Sequence, residues 1–341
     1  MRIGVCDFPS DYAFPPYGYG GIERWLWAAA FGGHQAGDEI FLVGPAWRRE
    51  LPLAFKRIPL RLEDLRPESE QFRTLQNLAL DVLIVGHEYP SRRPWRHISD
   101  LLGCRVVTFQ HDPDFRHEDA AFDGVRSRLF CYSPEMMLRY AKHHPTQALS
   151  VQFGWNEEIP PQAMKGRDLV WLGRIDYQKS PHLAIQAARL LGRSIRLIGP
   201  VLDEGYARAY RQYLDAPNVE YVGEVSGAAK LDQIRQAQLM VYTCAAEYVE
   251  AGAAVFGESL RSGTPVAALA WRAGTCAEVA LCENTGRIAN VADLSEQEVV
   301  EQLAETIIAA EHLDSRDTQV IGLDRFDPER HYLNLVGHDG F

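Results

Sequence analysis

Short apolar runs alternate with helical segments along the whole chain, and this alternation constrains the fold more than any other feature. The runs are rich in Val, Ile and Leu, which is typical of parallel strands buried on both faces. We predict strands at residues 3–6, 40–43, 82–85, 106–109, 129–132, 149–153, 169–172, 195–198, 219–222, 239–242 and 266–269. Parallel strands joined by helices form doubly wound α/β sheets with right-handed crossovers.

The length of the chain fits two such sheets. At 341 residues it exceeds the usual size of one domain and suits two α/β domains of about 150 residues each. Residues 154–167 contain two prolines and several polar side chains, as expected of an interdomain linker. We therefore predict one domain over residues 1–155, a second over 156–325, and a last segment over 326–341 whose helix crosses back onto the first domain.

The charge and the N-terminus exclude several classes of protein. The net charge is -11, from 46 acidic and 35 basic residues, and no Lys/Arg-rich run is present, which argues against a nucleic acid or an anionic membrane as the main partner. The N-terminus has no signal-peptide pattern, and no apolar segment reaches the ~20 residues that span a bilayer. We expect a cytoplasmic protein without stable membrane insertion. The six cysteines have no Cys-x-x-Cys spacing, so a structural zinc is not expected.

Two glutamates eight positions apart, Glu250 and Glu258, mark the most informative motif. The spacing puts Glu250 on a loop and Glu258 about two turns into the following helix. Gly252 and the small residues after it leave backbone N–H groups open at the helix start, where a diphosphate can dock. The two carboxylates can then accept hydrogen bonds from the hydroxyls of a ribose and a transferable hexose. The alternative is a solvated helix face that carries two glutamates.

Two further segments follow predicted strands and offer groups that bind anions. Arg174 and Lys179 come after the strand at residues 169–172, and a forked guanidinium with a flexible ammonium suits a pyrophosphate. The alternative is a solvated basic loop. Gly20 and Gly21 precede a helix, where paired glycines let an anionic group approach the amides. The alternative there is a tight turn that needs glycine for its backbone conformation alone.

His111 follows the predicted strand at residues 106–109. It can supply a hydrogen bond or transfer a proton at the sheet edge, although a single histidine at a strand end is often structural. A nicotinamide dehydrogenase is disfavoured, because the chain has no Gly-x-Gly-x-x-Gly after its first strand and no acidic residue that closes the second. The other histidines show no metal-ligand spacing.

Taken in order, these motifs resemble those of glycosyltransferase family 4, the retaining enzymes of the GT-B fold. The likeness covers nearly the whole chain and rests on Gly20-Gly21-x-Glu23, His111, Gly173-Arg174 with Lys179, Val222-Gly223, and Glu250 with Glu258. Among family members the chain looks most like the tailoring glycosyltransferases of antibiotic pathways. The resemblance implies an α/β protein of GT-B architecture, with two doubly wound Rossmann-like domains that face each other across a cleft. The N-terminal domain would take the acceptor and the C-terminal domain the nucleotide sugar.

The resemblance also implies the substrates and the site residues. The donor would be a nucleotide diphosphate sugar, UDP in preference to GDP, and the acceptor a small molecule or a lipid-linked compound, with no cofactor and no metal. The implied catalytic residues are His111, beside the reacting sugar, and Glu250, on the transferred sugar. Glu258 would hold the ribose. The implied donor-binding residues are Gly20, Gly21, Arg174, Lys179, Val225, Gly252, Ala253, Ala254, Val255 and Glu258.

The chain departs from the family pattern at two positions near the implied phosphate site. Ala253 stands where the family usually has glycine, and the glycine lies one position earlier, at Gly252. Ser180 stands where the family prefers glycine after the lysine. Two other functions stay open: a nucleotide-sugar epimerase or hydrolase on the same fold, and a non-catalytic homologue that binds the sugar nucleotide without turnover.

Overall fold

The computed structural model describes residues 1–6, 13–15, 20–45, 47–51, 53–86, 100–114, 127–147 and 165–337. These residues divide into two compact units. The first unit contains the described residues up to 147 together with 326–337, and the second contains residues 165–325. The predicted linker and the boundary at residue 155 fall largely outside the described residues and stay predictions, as does the predicted strand at residues 149–153.

The described part of the first unit contains a parallel sheet with the strand order β3-β2-β1-β4-β5-β6-β7. Its strands are β1 (Arg2–Cys6), β2 (Glu39–Val43), β3 (Lys56–Ile58), β4 (Val82–Val85), β5 (Arg105–Phe109), β6 (Ser127–Cys131) and β7 (Thr146–Gln147). The central strands are buried apolar runs, and this is why they were predictable from the sequence. The strand order reverses between β1 and β4, which makes the sheet doubly wound.

The second unit contains a parallel sheet with the order β10-β9-β8-β11-β12-β13. Its strands are β8 (Leu169–Leu172), β9 (Ile195–Ile198), β10 (Val219–Gly223), β11 (Leu239–Tyr242), β12 (Val266–Ala270) and β13 (Gly286–Asn290). The order reverses between β8 and β11, so this sheet is doubly wound as well. Ligands of such sheets bind beyond the carboxyl ends of the strands beside this reversal.

Helices connect the strands in both units. The described α-helices are α1 (Gly21–Gln35), α2 (Glu70–Asn77), α3 (Pro134–Arg139), α4 (Pro181–Leu190), α5 (Glu204–Ala209), α6 (Arg211–Leu214), α7 (Gly227–Gln236), α8 (Ala254–Arg261), α9 (Cys276–Ala280), α10 (Glu296–Ala310), α11 (Ser315–Arg325) and α12 (Pro328–Val336). In the second unit α4 and α10 pack against each other over the sheet, and α7 packs beside α8. Among the described residues, no helix combines the length and the apolar character needed to cross a membrane.

The helix α12 packs against α1 in the first unit, and two glycines of α1 make this approach possible. A Cβ atom at Gly32 would overlap the backbone carbonyl oxygen of Pro328, the first residue of α12. A Cβ atom at Gly33 would lie 2.6 Å from Ile40 Cδ1 and 2.9 Å from the Tyr332 ring. The Tyr332 hydroxyl also donates a hydrogen bond to the Asp38 carboxylate. The contact between α1 and α12 is therefore close-packed at the level of the backbone.

We predict that Gly32→Ala destabilises the first unit. The obstructing atom belongs to the backbone and cannot rotate away, so the overpacking should cost about 1–3 kcal/mol. For a domain of this size that lowers the unfolding temperature by roughly 2–4 °C per kcal/mol, which circular dichroism or calorimetry would detect. Gly21→Ala is the matched control, because an added Cβ at Gly21 meets no atom within 4 Å. Equal melting of the two variants would contradict the packing described here.

Candidate functional site

Three glycines shape the carboxyl edge of the second sheet. Gly173 follows β8, Gly199 follows β9, and Gly223 ends β10. The Gly173 N–H donates to the Ile198 carbonyl (3.0 Å), and the Gly199 N–H donates to the Gly223 carbonyl (2.9 Å). Gly199 has a φ of 137°, and a Cβ atom there would overlap the carbonyl oxygen of Gly173. Only glycine fits this position, and the strand ends are consequently free of side chains at this point.

The loop between β8 and α4 is held by its own polar groups. The Asp176 carboxylate accepts a hydrogen bond from the Lys179 N–H (2.9 Å), and the Ser180 hydroxyl donates to the Tyr177 carbonyl (2.7 Å). Ser180 has a φ of 46°, in the left-handed region. This backbone conformation favours glycine and accounts for the family preference there. In this chain the hydroxyl bond of Ser180 offsets part of the conformational cost.

A buried hydroxyl joins this loop to the end of β11. Thr243 Oγ1 accepts a hydrogen bond from Trp171 Nε1 (2.9 Å) and donates to the Lys179 carbonyl (2.8 Å). It also lies 3.1 Å from the Ser180 carbonyl. Trp171 and Thr243 are both buried. The backbone of Lys179 is thus fixed to two neighbouring strands, β8 and β11. Sequence reasoning missed Thr243, although a hydroxyl directly after an apolar strand is a usable signal.

Lys179 and Glu250 form an ion pair, with 14% and 13% of their side chains exposed. The Lys179 ammonium also lies 4.9 Å from the centroid of the Tyr248 ring, and the Tyr242 hydroxyl donates to Glu250 Oε2 (3.3 Å). Burial, and then the nearby Arg174, lower the pKa of Lys179 to about 8. The structure brings the predicted residues Lys179 and Glu250 together, and Tyr242 and Tyr248 were not predicted.

Arg174 lies on the same loop and is partly exposed. Its Nη2 donates to Gln178 Oε1 (2.6 Å), and its Nε lies 3.2 Å from the Asp176 carboxylate. These two contacts hold the guanidinium at the carboxyl edge of the sheet. The charge of Arg174 also contributes to the lowered pKa of Lys179, which places the two cations in one electrostatic environment. The role of Arg174 at a pyrophosphate stays a prediction.

The loop from β11 to α8 is fastened by a second arginine. The Arg272 guanidinium donates to the carbonyls of Ala246 and Tyr248 (2.6 Å each), and Trp271 Nε1 donates to the Cys244 carbonyl (2.7 Å). The helix α8 begins at Ala254 with Ala253 as its N-cap, and no side chain caps it.

Ala253 has φ −83° and ψ 111°, a backbone that any residue adopts. Its side chain therefore imposes no strain on the loop, although the family usually has glycine at this position. Gly252, Ala254 and Val255 are each partly exposed. Amide contacts of these residues with a ligand stay a prediction.

Glu258 lies on α8 and is buried in an ion pair with Lys230 of α7. Lys230 neutralises the Glu258 carboxylate from a neighbouring helix, which permits that carboxylate to be buried. A solvated helix face does not describe the motif, because both carboxylates are largely buried and paired.

Val225 lies two residues beyond the end of β10 and is partly exposed.

His111, Gly20 and Gly21 lie in the first unit. His111 follows β5, its Nδ1 is 2.8 Å from the Tyr132 hydroxyl, and the Trp25 ring meets it edge-on with ring centroids 5.4 Å apart. Gly20 is the N-cap of α1 with a φ of 150°, so the backbone conformation by itself explains that glycine. Within the described part of the chain, no group of three or more His, Cys, Asp or Glu side chains is arranged to hold a metal ion.

The fold is shared with solved structures. No protein-family model matches the chain, and no curated protein matches it in sequence. AviGT4, a glycosyltransferase involved in avilamycin A biosynthesis, matches with a TM-score of 0.70 at 20% identity, over 99% of this chain and 98% of its own. WaaG, a glycosyltransferase involved in lipopolysaccharide biosynthesis, matches with a TM-score of 0.64 at 14% identity, over 99% and 100%.

A third structure on the same fold is a putative UDP-N-acetylglucosamine 2-epimerase from Listeria monocytogenes. It matches with a TM-score of 0.56 at 10% identity, over 97% of this chain and 93% of its own. At these identities the likeness shows the fold. The predicted fold class is confirmed: the chain is an α/β protein with two doubly wound Rossmann-like units, as in GT-B glycosyltransferases.

We predict that Thr243→Val destabilises the second unit more than Thr243→Ser does. Valine removes the hydroxyl and leaves the buried Trp171 N–H without its acceptor, which should cost about 1–3 kcal/mol. Serine keeps the hydroxyl and loses one methyl group, which costs about 1 kcal/mol. Equilibrium unfolding in denaturant measures both. The assigned role of the hydroxyl is wrong if serine is the more damaging substitution.

Proposed function

We propose that this protein is a retaining glycosyltransferase of family 4 that transfers a sugar from a nucleotide diphosphate sugar to a small-molecule or lipid-linked acceptor. One observation carries the proposal: two cations, Arg174 and Lys179, lie with the carboxylate Glu250 at the carboxyl ends of parallel strands. The two cations suit the diphosphate of a nucleotide sugar, and the carboxylate suits the hydroxyls of the sugar beside it. The sequence resemblance and the shared fold both support this class of enzyme.

The cations and the start of α8 would bind the donor diphosphate. The chain is acidic overall, so an anionic ligand needs such a local concentration of positive charge. Arg174 and Lys179 would neutralise the leaving diphosphate. The amides of residues 252–255 would add hydrogen bonds where the helix dipole favours negative charge. Because these groups supply the charge stabilisation, we propose a reaction that needs no metal and no cofactor.

The two glutamates would hold the two sugars of the donor. Glu250 would contact the transferred sugar, whose ring gains positive charge in an oxocarbenium-like transition state. Glu258 would contact the ribose. Lys230 binds Oε1 of Glu258, and an ionised carboxylate can accept further bonds through its other oxygen.

The remaining residues keep the roles that the resemblance implies. The backbone at Val225 would meet the nucleobase, Gly20 and Gly21 would lie near the phosphates, and His111 would bind the reacting sugar. We propose UDP as the nucleotide in preference to GDP, supported by the UDP sugar in the name of the epimerase. A role in antibiotic biosynthesis is supported by the shared fold with AviGT4. We propose a cytoplasmic location, as the sequence predicts.

A nucleotide-sugar epimerase or hydrolase is the second candidate, and the fold shared with the epimerase favours considering it. Such an enzyme would use the same diphosphate site without an acceptor. A non-catalytic homologue would bind the nucleotide sugar without turnover, and the presence of both Glu250 and Glu258 argues against that alternative.

The nature of the products distinguishes these functions. We expect nucleoside diphosphates to raise the melting temperature by mass action, and UDP to raise it most. Nucleotide sugars that carry the nucleotide identified in this way are then incubated with the protein and followed by NMR. A transferase consumes the donor when acceptor is added and keeps the anomeric configuration in the product. An epimer or free sugar formed at full rate from donor alone would indicate the second candidate, and absence of any turnover would indicate the third.

We predict that Arg174→Ala weakens binding of UDP by about 1.5–3 kcal/mol, the range for a charge-assisted hydrogen bond. Lys179→Ala should have a similar effect. Isothermal titration calorimetry measures both. Arg211→Ala is the matched control, because Arg211 lies on the exposed face of α6, where it pairs with Asp215. If all three variants bind UDP as the wild type does, Arg174 and Lys179 do not belong to the site.

A further inference from the structure

The ammonium that would bind the diphosphate is already engaged by a carboxylate. Lys179 donates to Glu250 Oε2, and both side chains are largely buried. A diphosphate and Glu250 are anions that need the same positive charge. In a site with little water, two anions repel each other strongly when one cation has to serve both.

We infer that Lys179 and Glu250 form a latch that the donor opens, and this inference rests on the proposed function. The diphosphate replaces Glu250 as the partner of the Lys179 ammonium, and the released carboxylate, still bound by Tyr242, becomes available to the transferred sugar. Binding of the phosphates is thereby coupled to the availability of Glu250. Tyr242 is a positioning residue in this scheme, because its hydroxyl keeps Glu250 in place after the lysine leaves.

The backbone around the latch is held, so the exchange takes place by side-chain rotation. Thr243 binds the Lys179 carbonyl, and Asp176 binds the Lys179 amide. On the other side, Arg272 binds the carbonyls of Ala246 and Tyr248, close before Glu250. The lysine side chain has four flexible methylene groups, and its ammonium can move several ångströms while its backbone stays fixed.

The position of Tyr242 suits its role. It ends β11, it is buried, and its ring packs on Phe256 of α8 with ring centroids 4.7 Å apart. Its hydroxyl lies 3.3 Å from Glu250 Oε2. Burial raises the pKa of Tyr242 well above its usual value, so the phenol keeps its proton and remains a donor. A neutral donor can hold a carboxylate without competing for the diphosphate.

The decisive test compares two glutamates of the same loop. Glu250→Gln removes the competitor for Lys179 and should bind UDP about tenfold more tightly than the wild type, a difference of about 1.4 kcal/mol. Glu247→Gln is the matched control, because it removes an equal charge three positions earlier from an exposed site. It should change the Kd for UDP by less than about twofold. Calorimetry measures both, and GDP replaces UDP if the wild type prefers it.

The outcomes separate the latch from the proposed function. If Glu250→Gln binds the nucleotide no more tightly than Glu247→Gln, the latch is wrong, and the proposed function stands as long as the wild type binds and Arg174→Ala weakens binding. If the wild type binds neither nucleotide, the latch and the proposed function both fail. Should Glu250→Gln not fold, Glu250→Asp replaces it, because the shorter side chain weakens the pair and tighter binding is again expected.

Tyr242→Phe tests the positioning role by a different readout. It should lower kcat by about tenfold with a nucleotide sugar that the wild type uses, while the Kd for UDP changes by less than about twofold. Tyr213→Phe is a substitution of the same kind on α6, and it should leave both quantities unchanged. A Tyr242→Phe variant with wild-type kcat would remove Tyr242 from the mechanism. A loss of UDP affinity in that variant would show that the hydroxyl acts on the lysine side of the latch.

Discussion

A single buried hydroxyl, that of Thr243, fixes the geometry on which the candidate site depends. It accepts from Trp171 in β8 and donates to the carbonyl of Lys179, so the loop that precedes α4 is tied to the end of β11. The strands on either side are neighbours in the sheet, and the order of the sheet reverses between them. The loop between β8 and α4 is therefore fixed at the sheet edge where doubly wound sheets bind their ligands.

The electrostatics of the second unit follow one rule: each glutamate of the motif has its own lysine. Glu250 is paired with Lys179 and Glu258 with Lys230, and all four side chains are largely removed from water. Pairing makes burial of these charges tolerable in a chain with a net charge of -11. The Lys179–Glu250 pair has a further charged neighbour. Lys179 shares its environment with Arg174, and burial together with that nearby charge lowers its pKa.

The sequence was sufficient for the parts of the fold that rest on local pattern. Buried apolar runs predict the central strands. Pro328 in the first turn, with Asp327 before the helix and Gly337 after it, indicates α12. The strands β3 and β13 were missed because Lys-Arg-Ile and Gly-Arg-Ile-Ala-Asn lack a continuous apolar run, as is usual at the edge of a sheet. Within the site, Arg174, Lys179 and Glu250 were predictable from residue type and position after strands. Lys230, Thr243 and Tyr242 were not, because each acts on a partner that only the folded chain brings near.

The packing of α12 on α1 has a consequence for the order in which the chain is built. Residues 328–336 leave the ribosome after every strand of the second sheet, yet they cover Gly32 and Gly33 of the first helix. Domains usually complete themselves in the order of synthesis, beginning at the N-terminus. In this chain one face of α1 stays uncovered while the second unit is synthesised, because α12 has not yet been made. The earlier-synthesised half of this protein is thus the later one to be finished.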